Sequence, residues 1–263
     1  MHPYLSAPTP HLFGHRGASG ECPENTLPSF RRAVEGGVGF LETDCHATSD
    51  GEIVLLHDGD LSRTTNGEGP VREARFAELE RLDAGYHFTP DRGATFPYRG
   101  SGVRIPRLRE LLEAFPALRV NLEIKQAEPP IVDRVLDELR AARALDRVLL
   151  AAEDDGVMAK IRAADPGTAL GSSLADVVAF YRALAEDRIA SFEPAGDALQ
   201  VPPSFGGDPL VTPEAVAAAH ACGLRVHVWT LNDPKEIRRV LSLGVDGVMS
   251  DFPARLVQIS RSL

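Results

Sequence analysis

Short runs of apolar residues alternate with longer amphipathic stretches along almost the whole chain. The short runs have the length and composition of buried strands. The longer stretches repeat apolar residues every three or four positions, as helices that cover a sheet do. Several of these stretches begin with Asp, Thr or Pro and end near Gly, which are typical helix boundaries. The predicted strands cover residues 11–17, 40–48, 53–57, 120–125, 148–152, 169–173, 198–201, 225–230 and 244–249.

This alternation predicts parallel strands with helices packed outside them. A closed (β/α)8 barrel and an open doubly wound sheet both fit, but the length of 263 residues favours the barrel. A doubly wound dinucleotide-binding domain would also carry GxGxxG after its first strand, where this chain has GHRGASGECPENT. We therefore predict an α/β fold, a TIM-type (β/α)8 barrel forming a single domain over residues 1–263. Because a barrel needs eight strands, one of the nine is a short extra strand, or one of the two between Phe40 and His57 lies outside the barrel wall.

One segment, at about residues 59–104, breaks the alternation. A loop of this length in a compact domain is usually a lid, a small subdomain or a disordered link. Since it directly follows the third predicted strand and His57, we expect a small insertion that caps the active site. Its aromatic residues could line an apolar trough or form the core of the insertion itself; they are Tyr86, Phe88, Phe96 and Tyr98.

Composition and charge narrow the possible partners. The net charge is −10 and the sequence pI about 5.3, so the chain has no general electrostatic reason to bind nucleic acid. No apolar run approaches the ~20 residues of a membrane-spanning helix, and the N-terminus does not resemble a signal peptide. Three cysteines without CxxC spacing indicate neither a disulfide framework nor a zinc site. We expect a cytoplasmic protein, and the sequence leaves its oligomeric state open.

Carboxylates at predicted strand ends indicate a metal site. Glu42 and Asp44 stand two residues apart on one strand and therefore leave the same face; Glu123 and Lys125 have the same spacing on another. In a barrel such side chains converge at the carboxyl ends of the strands. Converging carboxylates remain ionised only if a cation shares them, and oxygen ligands suit Mg²⁺ or Ca²⁺. The tripeptide ETD alone would more often be a solvated strand end.

Two histidines close predicted strands near these acids. His15 ends the first strand and His57 the third, where they could serve as a general acid and a general base near neutral pH. Arg16 offers a planar fork for phosphate oxygens, and Lys125 adds a point charge. Together with the metal ion, Arg16 and Lys125 would hold an anionic phosphoryl group and supply locally the positive charge that the whole chain lacks. Asp251, just before Phe252 and a proline, has the position of a helix cap.

Four phrases, in the order HRGASGECPENT, LETDCHATSDGEIVLLHD, NLEIK and VHVWTLND, resemble the glycerophosphodiester phosphodiesterase family. The resemblance extends from about residue 11 to residue 253. It implies a (β/α)8 barrel with one divalent cation, Mg²⁺ or Ca²⁺, and hydrolysis of a glycerophosphodiester to glycerol 3-phosphate and an alcohol. The roles that it implies are metal ligation by Glu42, Asp44 and Glu123, acid and base catalysis by His15 and His57, phosphate contacts from Arg16 and Lys125, and packing of Trp229 against the alcohol part of the substrate.

The substrate class remains open at this level. Deacylated phospholipids such as glycerophosphocholine are the usual family substrates, but the region around VHVWTLNDP and the aromatic insertion resemble a branch that releases head groups from lysophospholipids as a lysophospholipase D. Two further readings are a lyase of the same barrel type that stops at a cyclic phosphate, and a non-catalytic binding protein on an inherited barrel.

Overall fold

The computed structural model describes residues 2–263 and contains a parallel barrel surrounded by helices. The strands are β1 His11–Gly14, β2 Phe40–Ala47, β3 Ile53–Leu55, β4 Arg119–Ile124, β5 Val148–Ala151, β6 Ala169–Leu170, β7 Ala198–Val201, β8 Ser204–Phe205, β9 Asp208–Pro209, β10 Arg225–Val228 and β11 Gly247–Ser250. The helices are α1 Leu27–Glu35, α2 Phe76–Leu79, α3 Leu108–Ala114, α4 Val132–Ala141, α5 Asp155–Ala163, α6 Leu174–Ala185, α7 Pro213–Ala221, α8 Pro234–Ser242 and α9 Pro253–Ser260.

Eight of these strands form the barrel wall, in the order β6-β5-β4-β2-β1-β11-β10-β7. All neighbouring pairs in that order are parallel. A parallel bridge between Gly171 and Ala198 joins the two ends of the sheet, β6 and β7. The predicted TIM-type barrel is therefore confirmed.

The additional strand of the main sheet, β3, is not part of the barrel wall. It pairs antiparallel with the end of β2, with Cys45 opposite Leu55 and Ala47 opposite Ile53. The prediction that one of the two strands between Phe40 and His57 lies outside the barrel is thus confirmed. His57 consequently follows an antiparallel extension of β2 rather than a barrel strand, so the expectation that both histidines close barrel strands is wrong for His57.

The segment between β3 and α3 packs on a small apolar core of its own. Leu61, Val71 and Leu79 are at most 3% exposed and cluster with Val54 and Leu56 of the β3 region. The backbone returns to the barrel where Leu55 donates its N–H to the carbonyl of Pro106. The insertion is thereby anchored directly to the strand that leads to His57.

The barrel helices begin at capping residues that the sequence supplies. Thr26, Thr212 and Asp233 each accept hydrogen bonds from the backbone N–H groups of the first turn, and in each helix a proline lies within the first two positions. Their apolar faces cover the barrel in two clusters. One is centred on β2, β4 and β5, and the other on β7, β10 and β11.

Aromatic and histidine side chains fill the barrel interior below the carboxyl rim. The His11 ring stacks on Phe40 with centroids 4.4 Å apart, and its Nδ1 lies 3.4 Å from Nε2 of His227. A 3-10 turn at Pro3–Ser6 adds the fully buried Tyr4 to this layer. The interior is therefore packed, and space for a ligand remains at the rim. Among residues 2–263, no helix is long and apolar enough to cross a membrane.

Candidate active site

Three carboxylates converge at the carboxyl rim of the barrel. Leu41 is in register with Gly14, the last residue of β1, so Glu42 and Asp44 lie just above that level, and Asp44 pairs with Glu123 of β4. One oxygen atom from each of Glu42, Asp44 and Glu123 lies within 4.8 Å of the others. Glu42 and Asp44 are buried, and Glu123 is half-buried. The predicted acidic cluster is thus present in one place.

The loop after β1 orients two of these carboxylates. The Arg16 backbone N–H donates to Oε2 of Glu42 at 2.9 Å, and the Asn25 side-chain amide donates to Oδ2 of Asp44 at 3.0 Å. Both donors have left-handed backbones, with φ of 50° at Arg16 and 55° at Asn25. Such conformations cost energy in residues other than glycine and concentrate at functional sites. Each carboxylate therefore has one oxygen fixed by the loop.

The electrostatics of the cluster favour an added cation. Burial, together with the neighbouring charge of Asp44, raises the pKa of Glu42 to about 7. All the donors are carboxylate oxygens, which match a hard divalent ion rather than zinc. Burial makes an isolated charged carboxylate energetically costly. An ion shared among the three carboxylates would offset that cost. The residues present thus fit the divalent cation that the sequence indicated.

Two basic side chains border the carboxylates. Arg16 donates from Nη1 to Glu24 at 3.0 Å, and its Nε lies 3.3 Å from Oδ2 of Asp44. Lys125 donates from Nζ to Glu123 at 2.7 Å and lies 3.6 Å from Asp44. Burial lowers the pKa of both basic groups, but the adjacent carboxylates more than offset it, so the pKa of each is raised. Both side chains remain charged and stay beside the cluster.

His15 is held from its outer side by a carboxylate. Its Nδ1 lies 2.7 Å from Oδ1 of Asp251, which leaves Nε2 toward the acidic cluster, 3.9 Å from Glu42. Ser19 and Asn232 donate to the same Asp251 carboxylate. Burial lowers the pKa of His15, but the bond to Asp251 and the charge of Glu42 reverse the effect and raise it. Asp251 is therefore a partner of His15; its interpretation as a helix cap is wrong, since α9 is preceded by Phe252 without a side-chain cap.

His57 has an equivalent partner of its own. Its Nδ1 lies 2.6 Å from Oδ1 of Asp58, the next residue in the chain. Asp58 also accepts hydrogen bonds from Arg63, which comes from the insertion. His57 is more open than His15, with 32% of its side chain exposed compared with 17%. Each histidine thus has Nδ1 beside a carboxylate and lines the cavity with the rest of its ring. Nε2 of His15 lies 3.4 Å from Oγ1 of Thr230.

A cavity of about 380 Å³ lies above the cluster. All eight predicted site residues line it, namely His15, Arg16, Glu42, Asp44, His57, Glu123, Lys125 and Trp229. Its other wall is largely apolar and includes Leu174, Val177, Val201, Pro202 and Phe205. The structure therefore brings together all the predicted site residues, and adds an apolar side that the sequence did not indicate.

The aromatic residues of the insertion lie outside the cavity. Phe88 and Tyr98 pack edge to face, with ring centroids 5.4 Å apart, and the Arg99 guanidinium lies over the rings of Tyr86 and Phe96. None of these four aromatic residues belongs to the described lining of the cavity. The interpretation of these rings as an apolar trough beside the site is wrong. The alternative, that they form the core of the insertion, holds only for Tyr98, which is half-buried against that core.

Sequence reasoning missed the residues that hold the others in place. Asp251, Asp58, Asn25 and Glu24 each contact a predicted site residue, and Arg63 joins two of them. The only local signals for these supporting contacts were that Asp58 directly follows His57 and that Glu24 and Asn25 are neighbours in the sequence. Asp251 is 236 positions from His15, and no local pattern reveals that contact.

Comparison with known proteins agrees with this site. A family model described as the glycerophosphoryl diester phosphodiesterase family matches residues 15–255. A glycerophosphodiester phosphodiesterase of Bacillus altitudinis is 33% identical, covering 96% of this chain and 98% of its own. A lysophospholipase D of Rattus norvegicus is 26% identical, covering 95% of this chain and 85% of its own. A phosphodiesterase structure from Oleispira antarctica, in complex with the product sn-glycerol-3-phosphate, has a TM-score of 0.77 and 27% identity, covering 96% of this chain and 97% of that one. The chain belongs to the glycerophosphoryl diester phosphodiesterase family.

Proposed function

We propose that the protein hydrolyses glycerophosphodiesters to glycerol 3-phosphate and an alcohol, in a reaction that depends on one divalent cation. The observation that carries this proposal is the convergence of three carboxylates, two basic side chains and two histidines on one cavity of about 380 Å³. The family assignment and the product complex of the Oleispira antarctica relative support the same reaction.

The cation would be Mg²⁺ or Ca²⁺, held by Glu42, Asp44 and Glu123. When bound, such an ion supplies electrostatic stabilisation to the phosphoryl oxygens. Arg16 and Lys125 are the side chains that would bind and orient the same oxygens, and Arg16 can do so through its planar fork. The two basic groups stay charged because the acids next to them raise their pKa values.

The histidines would move protons at their Nε2 atoms. Because Asp251 engages Nδ1 of His15 and Asp58 engages Nδ1 of His57, each ring keeps Nε2 for the substrate. One Nε2 accepts the proton of the nucleophile, either water or a neighbouring hydroxyl of the glycerol, and the other donates a proton to the leaving alkoxide. Trp229, which is 42% exposed at the rim, would pack against the alcohol part of the substrate.

A second candidate, lysophospholipase D activity, is favoured by the apolar wall of the cavity. Leu174 and Phe205 are 55% and 75% exposed, and both line the cavity with Val177 and Trp229. Exposed apolar side chains continuous with a ligand cavity suit an apolar substituent of the ligand. The similarity to the Rattus norvegicus lysophospholipase D points the same way. An acyl chain would then lie toward β8, rather than along the insertion.

The test compares glycerophosphocholine with a long-chain lysophosphatidylcholine at matched concentrations, with Mg²⁺ or Ca²⁺. We expect turnover of glycerophosphocholine, with phosphorus-31 NMR showing glycerol 3-phosphate at the end of the reaction. His15→Ala and His57→Ala should each lose about 10²–10⁴-fold in kcat, while His87→Ala, an exposed histidine of the insertion, should keep full activity. Faster turnover of the lysolipid would favour the second candidate. A persistent cyclic phosphate would indicate a lyase, and full activity in both site variants would refute the proposal.

A further inference from the structure

Arg63 joins the insertion to two separate parts of the site. It donates from Nη1 and Nη2 to the two oxygens of Glu24, at 2.8 and 2.7 Å. It also donates from Nε and Nη2 to the two oxygens of Asp58, at 2.5 and 3.2 Å. One guanidinium therefore holds two carboxylates in forked geometry, which is the arrangement that arginine favours.

Each of those carboxylates also contacts a residue that faces the substrate. Asp58 binds Nδ1 of His57 at 2.6 Å, and Glu24 binds Nη1 of Arg16 at 3.0 Å. A continuous chain of hydrogen bonds thus runs from His57 through Asp58, Arg63 and Glu24 to Arg16. It links a proton-transfer residue to a phosphate-binding residue by way of the insertion.

The charge and burial of this chain suit a fixed link. The Glu24 side chain is 19% exposed and the Asp58 side chain 33%, so neither carboxylate is fully hydrated. The hydrogen bond from Arg63 lowers the pKa of Asp58 to about 2, so it is ionised at neutral pH. An ionised Asp58 can only accept a hydrogen bond, and it therefore fixes the proton of neutral His57 on Nδ1.

The two histidines are positioned by different parts of the fold. His15 follows β1 directly, and its backbone N–H donates to Ser250 of β11, so the barrel wall fixes its position. His57 follows β3, which pairs antiparallel with the extension of β2, and the residue before it, Leu56, donates its N–H to the carbonyl of Asp44. The main chain beside His57 is thus attached to β2, while its imidazole is held by Asp58, which Arg63 ties across to the loop that follows β1.

We propose that Arg63 is a positioning residue, which sets the orientation and tautomer of His57 through Asp58 and aligns it with Arg16 through Glu24. The inference rests on the proposed phosphodiesterase function for its kinetic consequence. Its structural consequence, the position of the His57 proton, does not depend on turnover. The insertion would thus contribute a positioning residue to the active site.

The first experiment measures the tautomer of His57 by long-range ¹H–¹⁵N NMR of histidine-labelled protein at pH 8. We expect the proton on Nδ1 in the wild type and in Arg104→Ala. Arg104 is also an arginine of the insertion, but it pairs with Glu80 on the surface. Asp58→Asn should move the proton toward Nε2. Arg63→Ala should do so in part, because Asp58 stays ionised but is no longer held against Nδ1. An unchanged tautomer in Arg63→Ala would overturn the proposal, whether or not the protein is active.

The second experiment is kinetic. Loss of partners that orient imidazoles typically lowers activity about 10–100-fold, and we expect Arg63→Ala to lose that much in kcat. Guanidinium ion at millimolar concentration should restore part of the loss in Arg63→Ala and none in Asp58→Asn. Arg63→Lys should stay impaired because an ammonium cannot fork to two carboxylates. Normal kcat in a folded Arg63→Ala protein would also overturn the proposal. A wild type without turnover, but with the expected tautomers, would refute the proposed function and leave the positioning role standing.

Discussion

The buried histidine pair inside the barrel makes the stability of the protein depend on pH in a defined window. His227 is fully buried, with Nε2 3.4 Å from His11 and Nδ1 3.5 Å from the amide of Gln200. Burial, followed by the proximity of His11, lowers its pKa from 6.5 to about 3. The unfolded chain therefore binds a proton at His227 below pH 6.5 that the folded protein does not bind.

The magnitude follows from this difference. Between pH 6.5 and the folded pKa, the free energy of unfolding falls by about 1.4 kcal/mol for each pH unit of acidification. From pH 7.5 to pH 4.5, His227 should thus remove about 2.7 kcal/mol of stability. The figure holds for any folded pKa well below 4.5, because the folded protein stays unprotonated at His227 throughout this window. It is a large fraction of the ~5–15 kcal/mol that stabilises a typical protein.

The assay is urea unfolding followed by circular dichroism at pH 7.5 and pH 4.5, in EDTA so that bound cations do not contribute. Other groups titrate in this window, so the comparison is with His227→Gln, which keeps hydrogen-bonding atoms near His11 but cannot titrate. We expect His227→Gln to lose about 2.7 kcal/mol less than the wild type between the two pH values. Equal losses in the two proteins would refute the reasoning, since they would mean that His227 does not control the acid sensitivity.

Three further predictions concern the site. Asp251→Asn should lower kcat by at most the ~10²–10⁴-fold expected of general acid–base catalysis, with little change in KM, because Asp251 contacts His15 and lies outside the cavity lining. A matching rise in KM in steady-state assays would contradict this role. Phe205→Ala should leave glycerophosphocholine turnover unchanged. If acyl chains bind along the apolar wall, it should lower kcat/KM for a long-chain lysolipid by the equivalent of about 1–2 kcal/mol, and equal effects on both substrates would exclude that wall as an acyl site. Glu153→Gln removes an exposed carboxylate of the cavity lining and should raise KM a few-fold for a substrate with a choline head group but not for one with a neutral glycerol head group. Unchanged selectivity between the two substrates would exclude a contact between Glu153 and choline.

The barrel could be predicted from sequence because its signals are local and repeated. Strand–helix alternation recurs along most of the chain, and several helices begin at a capping residue, such as Thr26 before Leu27–Glu35. The excess strand was the one ambiguous point. Its assignment needed the antiparallel pairing of Cys45 with Leu55, which depends on the chain reversing between Ala47 and Ile53 rather than crossing over through a helix.

The cavity-lining residues were predictable for the same reason. Side chains two apart on a strand share a face, and parallel strands end at one rim, so Glu42, Asp44 and Glu123 had to meet if the barrel was right. The aromatic insertion offered no such rule. From the sequence, Tyr86 and Phe96 could equally line a trough or fill a small core, and only the structure shows that both rings pack against the guanidinium of Arg99.

The supporting residues were not predictable because their contacts join distant parts of the chain. Asp251 reaches His15 only after β11 has closed on β1, and its position before Phe252 resembles a helix start in the sequence. Arg63 reaches Glu24 across 39 positions from within an irregular loop. In both cases the partner is selected by tertiary geometry, and the residue type alone fits many roles.

The balance of charge at the rim explains how an acidic protein could accept an anionic substrate. Arg16 and Lys125 are each already engaged by carboxylates, at 3.0 Å to Glu24 and 2.7 Å to Glu123, so neither is a free positive charge awaiting phosphate. Against these two cations stand the three carboxylates of the cluster, an excess of negative charge that is also reflected in the pKa of about 7 at Glu42, raised by burial and by Asp44. A phosphodiester monoanion brought to this rim would be repelled unless further positive charge came with it. A divalent ion of the kind proposed above, shared by the carboxylates, would offset this excess of negative charge. The proposed ion would therefore favour binding of an anionic substrate at this rim, because Arg16 and Lys125 alone do not outweigh the acids beside them.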